Sequence, residues 1–120
     1  MAGDIVHFEL PAVDPDRAQR FWSSLFGWEF ADSGMPGMDY RMARLGDTLG
    51  AALAKTDKPQ GYPNVYFGTD DIDASLAKIR DLGGETEDKS PVPGMGWFSM
   101  CKDTEGNAFG LWQNDPSAGQ

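Results

Sequence analysis

One histidine and one glutamate lie two positions apart near the start of the chain, in the segment Ile5-Val6-His7-Phe8-Glu9-Leu10. The segment alternates and is rich in strand-forming residues, so it is predicted to be a β-strand. Residues i and i+2 of a strand point to the same face, which places the imidazole beside the carboxylate. A nearby carboxylate is expected to raise the pKa of His7, so His7 and Glu9 are candidates for proton transfer. His7 can equally be a core histidine whose hydrogen bonds are satisfied.

Two further side chains have chemical potential of their own. Cys101 is the single cysteine, which excludes an internal disulfide and a cysteine-based zinc site. A cysteine is a good nucleophile only where its pKa is lowered, and an inert buried thiol is the ordinary alternative. Arg44 could bind a carboxylate or a phosphate if its strand directs it into a cleft, whereas an exposed strand arginine is the more usual case.

The composition argues against several classes of protein. The 120 residues carry 19 acidic and 10 basic side chains, for a net charge of −9. Nucleic acid is a poor partner for this charge, because phosphate binding needs clustered Lys and Arg. No stretch approaches the ~20 apolar residues of a membrane span, and the first residues do not have the pattern of a signal peptide. We therefore expect a cytoplasmic protein whose acidic surface keeps it soluble and could also favour a cationic ligand.

The length is typical of a single domain over residues 1–120. Hydrophobic periodicity and turn residues predict two successive βαβββ modules, at about residues 4–56 and 62–113. Asp14 and Asp71 are the predicted N-caps of the two helices. The predicted strands are residues 5–10, 28–30, 40–45, 48–55, 64–69, 85–89, 97–101 and 107–112.

Two other expectations concern the first helix and the C-terminal segment. Ala18, Phe21, Trp22 and Leu25 have helical spacing and are expected to form one apolar stripe on this helix. The polar residues from Asn114 to Gln120 are expected to fray.

The two modules match each other at a constant offset of 57 residues. Generic capping preferences could produce one or two such matches by chance. A series of matches at caps, helix ends and strand aromatics indicates two copies of one module. The offset pairs Asp14 with Asp71, Asp16 with Asp73, Leu25 with Leu82, Gly27 with Gly84, Tyr40 with Trp97 and Ala51 with Ala108.

With this arrangement the chain resembles the vicinal oxygen chelate superfamily, which includes glyoxalase I, bleomycin-resistance proteins and extradiol dioxygenases. The resemblance implies an α+β fold in which two βαβββ modules form a curved eight-stranded mixed sheet with a cleft. It also implies a homodimer, as is usual for members of this length. The fold hosts many activities, so it does not by itself indicate a reaction. The resemblance extends from Ile5 to Gln113 and is carried by residues 6–10, 14–22, 25–28, 70–72, 82–84 and 103–112.

Metal-dependent members of this superfamily bind a divalent ion through four ligands, one from the first and one from the last strand of each module. By resemblance and by the offset, these positions are His7, Leu53, Asn64 and Gly110. Leucine and glycine have no donor and a neutral amide is a weak ligand, so only the histidine is a good one. A two-residue slip would bring in Glu9, but the other strands have no acid nearby. We therefore expect no metal and no cofactor, which weakens the glyoxalase I and dioxygenase interpretations.

Strand alternation predicts which side chains line the cleft. An aromatic cleft with a few polar groups suits a small organic molecule, although the same aromatics could instead fill a collapsed core. The loop Pro91–Gly96 is either a mobile lid over this cleft or an ordinary connection. The predicted ligand-binding residues are His7, Glu9, Tyr40, Met42, Arg44, Asn64, Tyr66, Trp97, Ser99 and Trp112.

These observations lead to three hypotheses for the function. The first is metal-free binding of a small organic molecule, similar to bleomycin-resistance proteins, which sequester a cationic drug in an aromatic, acidic dimer cleft. The second is an enzyme of lyase, isomerase or dioxygenase type, either metal-dependent or using His7 and Glu9 for proton transfer. The third is an accessory or interaction subunit that binds no small molecule.

Overall fold

In the computed structural model, which describes residues 2–120, both helices begin directly after the aspartates predicted as N-caps. Helix α1 (Pro15–Phe26) starts with the Arg17 backbone N–H donating to the Asp14 side chain at 3.1 Å. Helix α2 (Ile72–Asp81) starts with the corresponding bond to Asp71 at 3.0 Å. Within residues 2–120, neither helix is long and apolar enough to cross a membrane.

The first of two compact units comprises His7–Asn64. Its strands lie side by side in the order β2-β3-β4-β1. The strands β1 and β4 run parallel, and the other neighbours are antiparallel. Helix α1 covers one face of β4, where Ala51 and Leu53 are fully buried. The strands are β1 (Ile5–Ala12, whose first two residues belong to the second unit), β2 (Ala31–Asp32), β3 (Tyr40–Arg44) and β4 (Gly50–Lys55).

The second unit comprises the residues up to Val6 together with Val65–Gln120. In it β9 pairs parallel with β5 and antiparallel with β8, and β8 also pairs with β6 and β7. Its core is a cluster of Ile72, Leu76, Cys101 and Leu111. The strands are β5 (Asn64–Gly68, which begins at the last residue of the first unit), β6 (Glu85–Thr86), β7 (Ser90–Val92), β8 (Gly96–Lys102) and β9 (Ala108–Asn114).

The α+β class and the two βαβββ modules are therefore confirmed, with differences in three short strands. The predicted strand 28–30 is instead at Ala31–Asp32, because Ser23 Oγ donates to the Trp28 carbonyl at 2.6 Å and holds this segment against α1. The predicted strand 85–89 is shortened to β6, and β7 follows it as an additional strand.

The repeat is not gap-free, because the second module has one residue more than the first between its first and last strands. The parallel partners are His7 with Gly50 in the first module and Tyr66 with Gly110 in the second. The offset of 57 holds for the first strands and the helix N-caps, and it becomes 58 from β8 onwards. The predicted matches of Tyr40 with Trp97 and of Ala51 with Ala108 are therefore wrong. The predicted match of Gly27 with Gly84 at the helix ends is also wrong, because α1 is capped by Gly27 and α2 by Leu82. Three neighbouring strands of the first module pair through Glu9, Ala52 and Met42. The equivalent residues of the second module are Tyr66, Gly110 and Met100.

The apolar stripe predicted on α1 is only partly buried. Phe21 and Leu25 are 59% and 55% exposed. Trp22 is half-buried and stacks on Trp28 with ring centroids 5.1 Å apart and planes at 6°. The spacing predicted a helix correctly, but the helix turns two residues of its apolar stripe to solvent.

The C-terminal segment is docked and does not fray. Ala118 is fully buried, and its carbonyl accepts a hydrogen bond from the Gly94 backbone N–H at 2.9 Å. The Asp115 backbone N–H donates to the Met95 carbonyl, also at 2.9 Å. The candidate lid Pro91–Gly96 is thus the turn of the β7–β8 hairpin, held by the last residues. This geometry favours the ordinary connection over a lid.

Replacing Gly110 by alanine is expected to destabilise the protein. A Cβ at this position would clash with Cδ2 of Tyr66, a buried ring, so the ring or the strand would have to shift. We expect a loss of about 1–3 kcal/mol in the free energy of unfolding, measured by urea denaturation. Gly46→Ala is the control, since its Cβ would meet nothing within 4 Å and its φ is outside the left-handed region. Equal midpoints for the two variants would contradict this packing.

Candidate functional site

A tyrosine hydroxyl joins the histidine and the glutamate of β1. The Tyr40 oxygen lies 2.6 Å from His7 Nε2 and 2.6 Å from Glu9 Oε2. A phenol has one proton, and here it is donated to the carboxylate. The imidazole must then donate from Nε2 to the phenol oxygen, which leaves Nδ1 as the nitrogen with the lone pair. The three side chains form a hydrogen-bond relay, His7–Tyr40–Glu9, that fixes the histidine tautomer.

Small residues on β4 make this relay possible. Strand β4 lies between β1 and β3, and the residues on its relay face are Gly50, Ala52 and Ala54. Gly50 pairs with His7, and a Cβ there would lie 3.3 Å from Nδ1. Tyr40 pairs with Ala54, which is four residues along β4 from the partner of His7. The Tyr40 ring must therefore extend over the small side chains of β4 to reach the imidazole. Larger side chains on this face of β4 would block that path.

Burial dominates the electrostatics of the relay. Burial lowers the pKa of His7 below its ordinary value of 6.5, and the smaller effect of the Glu9 carboxylate raises it. The raised pKa expected from the sequence is therefore wrong. The free-energy cost of removing the imidazolium from water exceeds the stabilisation that the carboxylate gives it. His7 is consequently neutral near pH 7.

Glu9 is shared between the relay and a small polar cavity of about 130 Å³. Asn64, predicted as a ligand-binding residue, lies in this cavity with its Oδ1 accepting from Gln60 Nε2 at 2.7 Å. That bond directs the Asn64 amide to act as a donor, beside the cationic Lys58. The sequence prediction missed Lys58 and Gln60 because they lie in an irregular connection. Strand alternation cannot predict the direction of a side chain there. The cavity is lined by Glu9, Pro11, Ala54, Thr56, Lys58, Gln60 and Asn64.

A larger, open cavity of about 680 Å³ in the same unit contains none of the predicted site residues. Its central side chain is Arg41, which contacts Asp39 at 2.9 Å and Asp16 at 2.8 Å. The hydrogen bond to Asp39 contributes most to raising the pKa of Arg41. This arginine ties β3 to α1, so its role in the described structure is to hold the helix on the sheet.

Arg44 and Met42 share the relay face of β3 but differ in their surroundings. Arg44 is exposed, and its Nη2 donates to the Asp47 carbonyl at 2.8 Å within the turn between β3 and β4. Met42 is half-buried in the same row as Glu9. Met42 is separated from Glu9 by Ala52 of β4 and adds apolar surface to the same face, and Arg44 has a structural partner of its own.

In the second unit, Tyr66 and Trp112 share one face, but the predicted facing of Trp97 and Ser99 is wrong. Trp97 and Ser99 alternate with Phe98 and Met100, and it is Phe98 that pairs with Trp112. The extra residue in this module reverses the facing along β8. The side of Tyr66 therefore carries Phe98 and Met100 in place of Trp97 and Ser99.

The side chains on the other face of β8 have structural partners around α2. Ser99 is buried and donates to the Glu87 carbonyl at 2.6 Å, and Trp97 Nε1 donates to Asp115 at 3.0 Å. Cys101 belongs to the core cluster, and burial raises the pKa of its thiol. This agrees with the inert-thiol alternative.

The four positions that the resemblance implies as metal ligands hold residues that fit a divalent metal poorly. The corrected register replaces Leu53 by Ala52, so the set is His7, Ala52, Asn64 and Gly110. The Tyr66 ring also fills the space into which a side chain at position 110 would extend. Among the described residues, no three His, Cys, Asp or Glu side chains form a group that could hold a metal ion. One imidazole and one amide are too few donors for a strong site.

Comparison with known proteins gives a consistent family. Residues 6–112 match the family described as glyoxalase-like domain. The chain is 35% identical over 113 residues to "Putative glyoxylase CFP32" of Mycobacterium bovis and Mycobacterium tuberculosis. It is 30% identical over 124 residues to the anthracycline biosynthesis protein DnrV of Streptomyces peucetius. Each comparison covers 88% of this chain, but the chain spans only 43% of CFP32 and 45% of DnrV.

A solved structure of similar fold is that of a methylmalonyl-CoA epimerase in complex with methylmalonyl-CoA and NH4+. The TM-score is 0.76 and the match covers 100% of both chains, at 20% sequence identity. This likeness establishes the shared fold and is too distant to establish a shared reaction.

The titration of His7 can be followed directly, because it is the single histidine of the chain. We expect its NMR-detected pKa to lie below 6.5, since burial disfavours the imidazolium. Glu9→Gln should lower this pKa further, because it removes the charge that raises it. Glu29→Gln, which changes an exposed carboxylate outside the relay, should leave it unchanged. A higher pKa in Glu9→Gln would contradict the relay electrostatics.

The same shift predicts how stability depends on pH. A histidine with a lowered pKa in the folded state binds fewer protons there than in the unfolded chain, so its contribution to stability is lost as the pH falls below about 6.5. Urea unfolding of the wild type and of His7→Gln should give a stability difference that changes between pH 7.5 and pH 5.5. The wild type should lose more stability over this interval. Parallel losses in the two proteins would show that His7 is not buried as described.

Proposed function

The chain belongs to the glyoxalase-like domain family, and we propose that it binds a small organic molecule, without a metal, at the His7–Tyr40–Glu9 relay. The observation that carries the proposal is the Tyr40 hydroxyl within 2.6 Å of both His7 and Glu9. It gives a half-buried site whose donors and acceptors are fixed before a ligand arrives. Preorganised polar groups of this kind reduce the cost of binding.

The polarity of the site defines what it can recognise. The Glu9 carboxylate favours a donor or a cationic group on the ligand, and Lys58 and Asn64 favour an acceptor close to it. Pro11 lines the same cavity, and Met42 lies on the same face beyond Ala52, so both add apolar surface to the site. A compact group with one donor and one acceptor, attached to a larger apolar body, matches this arrangement. Sequestration of a ligand, as in bleomycin-resistance proteins, requires no chemistry beyond these contacts.

The donor set supports metal-independence. Ala52 and Gly110 contribute no ligand, and the Asn64 carbonyl oxygen already accepts from Gln60. The site therefore relies on hydrogen bonds from its own side chains. The names of the relatives are compatible with small-molecule roles, since one is named for anthracycline biosynthesis and the epimerase structure contains a CoA ester.

Proton transfer is the second candidate function, and the fixed tautomer of His7 favours it. A neutral imidazole with its lone pair on Nδ1 is the form that accepts a proton. Protonation would leave a positive ring whose Nε2–H remains hydrogen-bonded, through Tyr40, to the Glu9 carboxylate. A nucleophile or base oriented by a second and a third group is a recurring catalytic arrangement. With a ligand whose acidic proton lies beside His7, the site would therefore catalyse proton transfer.

Native mass spectrometry of the purified, tag-free protein, with metal analysis of the same sample, tests the binding function. We expect a bound organic species and no stoichiometric divalent metal. The amount of this species bound to Tyr40→Phe should be at least about tenfold lower than in the wild type, because the substitution removes both hydrogen bonds of the relay. Glu29→Gln is the matched control and should bind as the wild type does. A stoichiometric metal would overturn metal-independence, and unchanged binding by Tyr40→Phe would overturn the location.

Exchange with solvent separates binding from proton transfer. The species identified above is incubated with the protein in D2O, and deuterium incorporation at carbon is followed by NMR. Incorporation that is lost in His7→Gln would establish proton transfer. Binding without incorporation would establish sequestration alone.

A further inference from the structure

The small cavity beside the relay contains two opposite charges that do not touch each other. Glu9 and Lys58 both line this cavity, whose volume is about 130 Å³. Within residues 2–120, no carboxylate lies within ion-pair distance of the Lys58 ammonium. The carboxylate and the ammonium are therefore separated by the space of the cavity, and neither neutralises the other by direct contact.

The Glu9 carboxylate uses one oxygen in the relay and leaves the other for a ligand. Tyr40 donates to Oε2 at 2.6 Å, and among the described residues no donor lies within hydrogen-bond distance of Oε1. An ionised carboxylate accepts hydrogen bonds at both oxygens. Because Glu9 is half-buried, a ligand that covers Oε1 must replace water there with a donor of its own. A cationic donor gives the stronger bond.

Donors predominate among the remaining polar groups of the cavity. Asn64 Oδ1 accepts from Gln60 Nε2 at 2.7 Å, which leaves the N–H groups of the Asn64 amide as donors. Thr56 Oγ1 accepts from the Lys58 backbone N–H at 3.2 Å, so the Thr56 hydroxyl proton is available to a ligand. Together with the Lys58 ammonium, these groups suit a carboxylate, which only accepts hydrogen bonds.

We propose that this cavity binds the head group of a zwitterion, with an ammonium and a carboxylate on one carbon, as in a free α-amino acid. This inference rests on the proposed function and specifies the ligand class of the same site. The ammonium donates to Glu9 Oε1, and the carboxylate accepts from Lys58 and Asn64. Each contact with a charged partner is a charge-assisted hydrogen bond of about 2.7–2.9 Å.

Charge balance favours a zwitterion over a singly charged ligand. The cavity is lined by one carboxylate and one ammonium, and these two charges cancel. A cation alone would be repelled by Lys58, and an anion alone would be repelled by Glu9. The acidic composition favours cations at long range, but it does not remove the repulsion by Lys58 inside the cavity. Only a ligand with both charges compensates both residues.

The size of the cavity matches a head group of this kind. At about 30 Å³ for each molecule of liquid water, its volume corresponds to about four waters. An ammonium, one carbon and a carboxylate have about this bulk. Pro11 and Ala54 supply apolar surface within the same lining, against which the carbon can pack. The side chain of a larger amino acid must then extend out of the cavity.

A matched series of phenylalanine compounds tests the ligand class, with binding followed by NMR titration of the ¹⁵N-labelled full chain. L-Phenylalanine has both charges, L-phenylalaninamide has only the ammonium, and N-acetyl-L-phenylalanine has only the carboxylate. We expect L-phenylalanine to bind at least about tenfold more tightly than either singly charged compound. The Asn64 side-chain amide signals should shift during this titration. Equal affinities across the series, or tighter binding of a singly charged compound, would overturn the proposal.

Substitution of each charged residue assigns the two ends of the ligand. Lys58→Met removes the ammonium and should weaken L-phenylalanine about tenfold without weakening L-phenylalaninamide, which has no carboxylate. Glu9→Gln should weaken L-phenylalanine without weakening N-acetyl-L-phenylalanine. Lys102→Met is the matched control, because it removes an exposed lysine outside the cavity, and it should bind as the wild type does. Equal losses in Lys58→Met and Lys102→Met would contradict the assignment of Lys58 to the carboxylate.

The organic species found by native mass spectrometry separates this proposal from the proposed function. A species with both an amine and a carboxylic acid supports the two together. A species that lacks either group would overturn the zwitterion and leave small-molecule binding at the relay in place. The absence of any bound species, together with no binding in the phenylalanine series, would overturn both.

Discussion

The alternation of side chains along β4 is the constraint on which both faces of the first unit depend. Its residues towards α1, Ala51 and Leu53, are fully buried beneath the helix. Its residues towards the other face are a glycine and two alanines, and the Tyr40 side chain extends over them to the relay. One strand thus contributes to the core on one side and leaves room for the Tyr40 side chain on the other. Because the period of a strand is two, a shift of one residue would exchange these roles.

The relay illustrates how burial and charge compete at a half-buried histidine. The Glu9 carboxylate favours the imidazolium, but it acts through Tyr40 and across the strand face, whereas desolvation acts on the ring directly. The outcome is a neutral histidine with a fixed tautomer. That state is useful both for accepting a hydrogen bond from a ligand and for accepting a proton from one.

The sequence was informative wherever a local rule determined the structure. Asp14 and Asp71 cap their helices, and the alternation on β1 puts His7 and Glu9 on one face, because both depend on neighbouring residues. It failed where the structure depends on residues distant in the chain. One extra residue in the second module reversed the facing of Trp97 and Ser99, and the exposure of Phe21 depends on how α1 lies on its sheet. The sign of the His7 pKa shift needed the depth of burial, which no spacing provides.

The two modules solve the same packing problem with a tyrosine from different strands. In the second module Tyr66, on the first strand, lies over Gly110 of the last strand. In the first module the equivalent first-strand position is Glu9, and the tyrosine comes from the third strand as Tyr40. Both tyrosines are buried, and each lies beside small residues of its own module. Tyr40 hydrogen-bonds with an imidazole and a carboxylate, so in the first module the tyrosine is part of the relay as well as of the packing. Under the proposed function, the ligand therefore decides between binding and proton transfer at His7: a ligand without an acidic proton beside the imidazole is only bound, whereas one with such a proton can transfer it to Nδ1.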